Sequence, residues 1–359
     1  MLKNIVLLLL PALLLGACKQ SDTKRTVKLP HSIGRLGEVA VVGDDMVFQG
    51  SVKSGIDTVL SQTQPQLFNV ESWFNVYDIR PDLFKSVAKS YHTIWVLKVQ
   101  GDAFNTKAYL PHPYNILSDS LKSANDTAPV RLYLKKNVWA YPQQVLFIYA
   151  KSHMALYEFL VNNRDNLLQR TLDMERENFA LKLESEKQDT ISKFLSDNFG
   201  FSMAVPDKFR IAVLQGQDNN KFAWIRRETP NIGQSLLIYS VPYTNKNQLL
   251  TEEIVVRRDS IAKTYVPGEL KGSYMATELE FPFLDTAINF KGSYAVEMHA
   301  LWRMRGGLFM GGPFYSVTIA DTANSRLLTV EGFVYSPEYD KTQYIRELET
   351  IISTFKWTK

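Results

Sequence analysis

The chain has 359 residues and a formal net charge of +4, a small excess spread without any Lys/Arg block, which argues against a nucleic-acid partner. Its 45% hydrophobic and 22% charged residues are ordinary for a globular protein, and its length suits two domains that each bury a core. A single cysteine excludes an intramolecular disulfide and any zinc site built on several thiolates.

Met1 to Ala17 has the parts of a secretory signal: a positive Lys3, an apolar segment from Ile5 to Leu15, and small residues before a cleavage point. The apolar segment, interrupted by Pro11, is too short to cross a hydrocarbon core of roughly 30 Å as a helix. Leu15-Gly16-Ala17-Cys18 reads as a lipobox. Residues 1–17 are therefore expected to be removed as a lipoprotein signal peptide, with Cys18 lipidated and the mature chain left without thiol chemistry. At about 0.8 kcal/mol per buried CH₂, two or three acyl chains hold durably where one does not. Residues 18–29 are polar and read as a flexible tether. The expected location is the cell envelope, as an outer-membrane lipoprotein facing the periplasm. Asp22 stands alone where a surface-export signal would carry an acidic cluster.

The class expected is α+β: two lobes, residues 30–190 and 191–359, with mainly antiparallel sheets packed against helices. In the first lobe, Glu38–Val42 is a strand ending at Gly43-Asp44-Asp45, and residues 55–62 form a short helix. The aromatic stretch 68–79 is a strand or a bent pair. Pro81 opens a helix through Ala88, and strands follow at 93–97, 130–134 and 145–149. Residues 100–128, with Pro111-His112-Pro113, form a long loop. Ser152 caps a long helix that ends the lobe.

In the second lobe, strands near 209–214, 222–226 and 235–239 make an antiparallel meander. Thr251 caps a helix with a Glu253–Arg257 pair, ended by Pro267-Gly268. Strands at 294–304 and 314–320 flank a Gly-rich connection, and 327–335 adds another. Asp340 and Gln343 have capping-box spacing before an amphipathic closing helix.

No Gly-x-Ser-x-Gly elbow, P-loop, dinucleotide fingerprint or His-Glu-x-x-His occurs, and no cofactor or metal is implied. The five histidines, His31, His92, His112, His153 and His299, lack ligand-like spacing. Leu308-Phe309-Met310, framed by glycine pairs and following Trp302 in the preceding strand, is the candidate binding surface, because consecutive apolar residues in a loop cannot all turn inward. The favoured function is thus a non-enzymatic binding or assembly factor, its partners the membrane through the lipid on Cys18 and another envelope protein. One alternative is an envelope hydrolase using Asp44 and Asp45, since close carboxylates separate their pKa values. Another is a glycan-binding module using Trp73, Phe74, Tyr77, Trp139 and Tyr141. Arg257-Arg258-Asp259 reads as a salt-bridged surface.

Several groups together, Pro30-His31-Ser32-Ile33-Gly34 with Glu38-Val39, Arg257-Arg258-Asp259, Gly272-Ser273-Tyr274-Met275, Leu301-Trp302, Met310-Gly311-Gly312-Pro313-Phe314 and Glu331-Gly332-Phe333-Val334-Tyr335, carry a resemblance over nearly the whole mature chain. The sequence resembles a Bacteroidota lipoprotein family, domain-of-unknown-function family DUF4837. That resemblance implies an envelope lipoprotein and transfers no catalytic residue. His299-Ala300 departs from the more polar or Gly-containing pair expected before Leu301-Trp302. The second lobe's order of elements also resembles the α-β-α sandwich of PsbP-like and Mog1-like proteins, a likeness of fold alone.

Overall fold

The computed structural model describes residues 28–67, 69–103, 128–281 and 283–358. The signal segment, Cys18, most of the expected tether, His112 and most of the 100–128 loop lie outside them. None of the helices among the described residues is long and apolar enough to cross a membrane, which says nothing of strands.

The first lobe is built on β1 (Glu38–Val42), β2 (Asn75–Ile79), β3 (Thr93–Val99), β4 (Val130–Lys136) and β5 (Gln144–Ala150), in the order β2–β1–β3–β5–β4. The α+β class is as expected and antiparallel pairing dominates the molecule; this sheet is the exception, parallel except where β4 joins β5. Helices shield one face and loops the other, so β1, β3 and β5 read as continuous apolar runs instead of alternating ones. On the helical side α1 (Gly50–Leu60), α3 (His153–Asn162) and α4 (Arg164–Glu186) set Ile56, Leu160 and Leu167 against Val41, Trp95 and Leu146. Phe84 and Val138 cover Val42, Val96 and Phe147 on the other. The helix expected from Pro81 shrinks to a 3-10 turn and one turn of α2 (Ser86–Lys89). Ser152 does cap α3, its Oγ accepting from the Ala155 amide at 3.1 Å.

The second lobe contains an eight-stranded antiparallel sheet. Its strands are β7 (Arg210–Gln217), β8 (Asn220–Thr229), β9 (Ile232–Pro242), β10 (Tyr274–Thr277), β11 (Leu284–Phe290), β12 (Ser293–Arg305), β13 (Gly311–Asp321) and β14 (Arg326–Tyr335). They run β10–β12–β13–β14–β9–β8–β7, with β11 also along β12. A small pair, β6 (Phe201–Ser202) with β15 (Lys356–Trp357), ties the start of the lobe to its end. Successive side chains alternate between faces. One face packs Ile238, Val317 and Val330 under α5 (Asp189–Phe199) and α7 (Thr342–Ser353). The other packs Tyr239, Met298 and Trp302 under α6 (Thr251–Tyr265), giving helix–sheet–helix layers. Gly332 permits the approach of α7, since a Cβ there would lie 2.7 Å from Leu348 Cβ.

Three local expectations give way to tertiary contacts. Thr251 is the first residue of α6, and its hydroxyl donates to Asp285 at 2.8 Å instead of capping. Arg257 bonds the Gln248 carbonyl at 3.1 Å, with no ion pair to Glu253. The capping box at Asp340 and Gln343 does not form, because α7 is capped from the other lobe.

Candidate functional site: a cavity between the lobes

The junction begins at the N-terminus of α7, where free amides and the helix dipole favour a carboxylate. Glu71 of the first lobe supplies it. Its Oε2 accepts from the Lys341 and Thr342 amides at 2.8 Å each and from the Thr342 hydroxyl at 2.7 Å, and Gln64 donates to that hydroxyl at 2.7 Å. One turn on, Arg346 reaches Glu175 of α4 at 2.9 Å and the Trp73 carbonyl at 2.5 Å, over the Phe74 ring at 4.5 Å. The second Glu175 oxygen accepts from the Gly37 amide. Both members of this pair are buried, so only such dense pairing compensates their lost hydration.

Beyond this seam the lobes part around a cavity of about 280 Å³. α4 contributes Gln169 and Arg176, the segment before β2 contributes Trp73, β12 contributes Glu297 and His299, and α7 contributes Ile345 and Glu349. Glu297 and His299 are two apart on one strand and share a face; Glu349 follows Ile345 by one helical turn. His299 lies between two carboxylates, its Nε2 3.6 Å from Glu297 and its Nδ1 3.5 Å from Glu349. Both distances are too long for closed hydrogen bonds. Tyr315, beside His299 across the sheet, donates to Glu297 at 2.8 Å.

These surroundings set the charges. Burial works against the His299 imidazolium, but Glu297 and Glu349 outweigh it and raise its pKa. Burial likewise disfavours the Glu297 carboxylate, yet the adjacent His299 and the hydrogen bond from Tyr315 lower its pKa. The Tyr315 phenol is held neutral by burial and by the two nearby glutamates. Arg176 is also opposed by burial and kept cationic by Glu349 first among its neighbours. It forms no hydrogen bond or ion pair with another described residue. A part-buried guanidinium with no hydrogen bond to another described residue, in a cavity between domains, has the donor chemistry that suits an anion.

Three larger hollows lack this quality. Around Arg326, one of about 880 Å³ has that arginine closed on Asp321 at 2.7 Å, one of about 530 Å³ along α4 has Glu177 closed on Lys136 at 2.7 Å and its Arg170 exposed to solvent, and one of about 300 Å³ has Arg164 closed on Asp165 at 2.8 Å. Among the described residues no group of three or more His, Cys, Asp or Glu side chains is placed to hold a metal ion.

The residues singled out by sequence fare unevenly. Trp302, expected at a binding surface, is instead a core residue, 2% exposed with its indole donating to the Val334 carbonyl. Met310 packs partly into the core beneath α6, while Leu308 and Phe309 point outward, 50% and 107% exposed. Asp44 and Asp45 flank the start of a 3-10 turn, with Asp45 facing Arg80 at 3.9 Å, and neither lines the cavities above. The five aromatics form no shared platform: Phe74 is core, Trp73 meets Arg346, Trp139 packs edge-on against Phe84, and Tyr77 and Tyr141 are separately exposed. Arg258, expected on a surface, is buried and bidentate to Glu331 at 2.9 and 2.7 Å, over the Phe314 ring. The cavity residues have no local signature because Arg176, His299 and Glu349 are far apart in sequence; the His299-Ala300 departure is the one sequence signal that touches them.

Comparison with family models divides the chain at this junction. Residues 32–184 match a domain of unknown function, DUF8532, and residues 186–354 match another, DUF4837. The DUF4837 likeness thus covers the second lobe, not nearly the whole chain, and Ser32 to Val39 fall in the other match. No curated protein matches the chain. Arg176 comes from the first matched segment, and Glu297, His299 and Glu349 from the second, so the cavity exists only where the two domains meet.

Proposed function

We propose that this chain is a lipid-anchored envelope protein of Bacteroidota that binds a small anionic ligand between its lobes. The observation that carries the binding reading is Arg176, charged and without a hydrogen bond or ion pair to another described residue, lining one cavity with His299 and two carboxylates. A carboxylate or phosphate on the ligand meets Arg176 and the His299 imidazolium, while Glu297 and Glu349 accept from its hydroxyl, amine or amide groups. The anchor is supported by the lipobox at Cys18. Cys18→Ser is expected to move the protein out of the membrane fraction, and globomycin-sensitive processing of that variant would contradict the anchor.

The binding test is a thermal-shift panel of monocarboxylates, dicarboxylates, amino acids and phosphomonoesters. At least one class should raise the unfolding temperature of the wild type in a saturable way; a flat response across the panel would count against the cleft. A second reading, acid–base catalysis on the bound compound, is favoured by the imidazole set between two carboxylates. Conversion of that compound, followed by NMR and lost in His299→Asn, would decide for it. Hydrolysis at Asp44 and Asp45 has no such support.

A further inference from the structure

The outward turn of Leu308 and Phe309 has no role in the cleft. The loop 306–310 lies against a second loop, 267–273: a Cβ built at Gly307 would sit 2.9 Å from Ser273 Cβ, and Gly268 packs under Met304 and Ser273. Together they expose Leu270, Leu308 and Phe309, the last with its whole ring in solvent. Lys263, Lys271 and Arg305 surround them, none in an ion pair with a described residue; Lys263 lies over the Tyr274 ring at 5.0 Å. The single carboxylate on the two loops is Glu269.

We infer that this double-loop tip docks on an anionic lipid surface. Three apolar side chains on a protrusion offer far less than the roughly 800 Å² per partner of a stable protein interface. They do suit insertion into the headgroup boundary, where aromatic rings partition and basic residues meet anionic lipid. Gly268 and Gly307 let the two loops pack against each other, so Leu308 and Phe309 can enter while the cations remain at headgroup level. The inference is independent of the cleft and of Cys18.

The test is flotation of residues 19–359, which keep every described element, with phosphatidylethanolamine vesicles made with and without phosphatidylglycerol. The wild type should float with the anionic vesicles, and a Leu308→Ser/Phe309→Ser variant with an unchanged circular dichroism spectrum should bind about tenfold less. Lys271→Gln/Arg305→Gln should lower binding as added salt does in the wild type. Three results would overturn the inference: no flotation of the wild type, equal flotation of the serine variant, or a wild-type dimer in sedimentation that the serine variant abolishes, which would assign the tip to a second copy of the chain.

Discussion

Two successive turns of α7 face the first lobe in opposite ways. At the first, Thr342 and Arg346 are met by Glu71, Gln64 and Glu175 in closed contacts of 2.7–2.9 Å, with only Glu71 Oε1 left unpaired. At the next, Glu349 and His299 stand 3.5 Å apart and Arg176 bonds no other described residue. Buried charge is costly unless paired, so the first turn reads as structure, a clamp that fixes the lobes. The second leaves its charges loosely matched beside a cavity, where perturbed titratable groups in a cleft are candidates for a functional site.

The contrast can be broken from either side. Arg346→Ala leaves Glu175 buried without its partner and is expected to cost about 3–5 kcal/mol, measured by urea unfolding, whereas Arg258→Met with Glu331→Leu should cost much less because both charges go together. Glu71→Ala removes a cap supplied across the junction and should cost about 1–2 kcal/mol. His299→Asn should change stability by no more than about 1 kcal/mol, but it should alter its pH dependence. With its pKa raised, His299 contributes fully below its ordinary 6.5 and loses that contribution as pH rises through the raised value. Glu297, with its pKa lowered, contributes above its ordinary 4.5 and loses it as pH falls through the lowered value. The wild type should therefore weaken on the alkaline side above 6.5, and His299→Asn should be flat there by thermal melts. Arg176→Gln should be the mildest, within about 0.5 kcal/mol of wild type.

How much of this was legible follows from how local each signal is. The strands of the second lobe were readable because apolar runs and turn residues act within a few positions, as for β8, β9 and β14. The parallel sheet of the first lobe was less so: its strands were placed, but direction depends on crossovers that periodicity does not record. Asp340 and Gln343 had the spacing of a cap, and a carboxylate some 270 residues earlier in the chain took the position instead. Arg258 next to Asp259 has the look of a surface pair; the two do meet at 3.3 Å, but Arg258 is buried and its bidentate partner, Glu331, comes from β14. The cavity is the extreme case: His299 has no partner at ligand spacing in the sequence, and folding brings Glu349 from another element and Arg176 from another domain.

The central claim, that the interlobe cavity is built around an arginine reserved for an anion, is tested most directly by calorimetric titration of wild type and Arg176→Gln with the compound that most stabilises the wild type. One-site binding to the wild type, weakened at least about tenfold in a variant of equal stability, is the predicted result, matching the roughly 1.5–3 kcal/mol of a charge-assisted hydrogen bond. Equal affinity of the two proteins would contradict it.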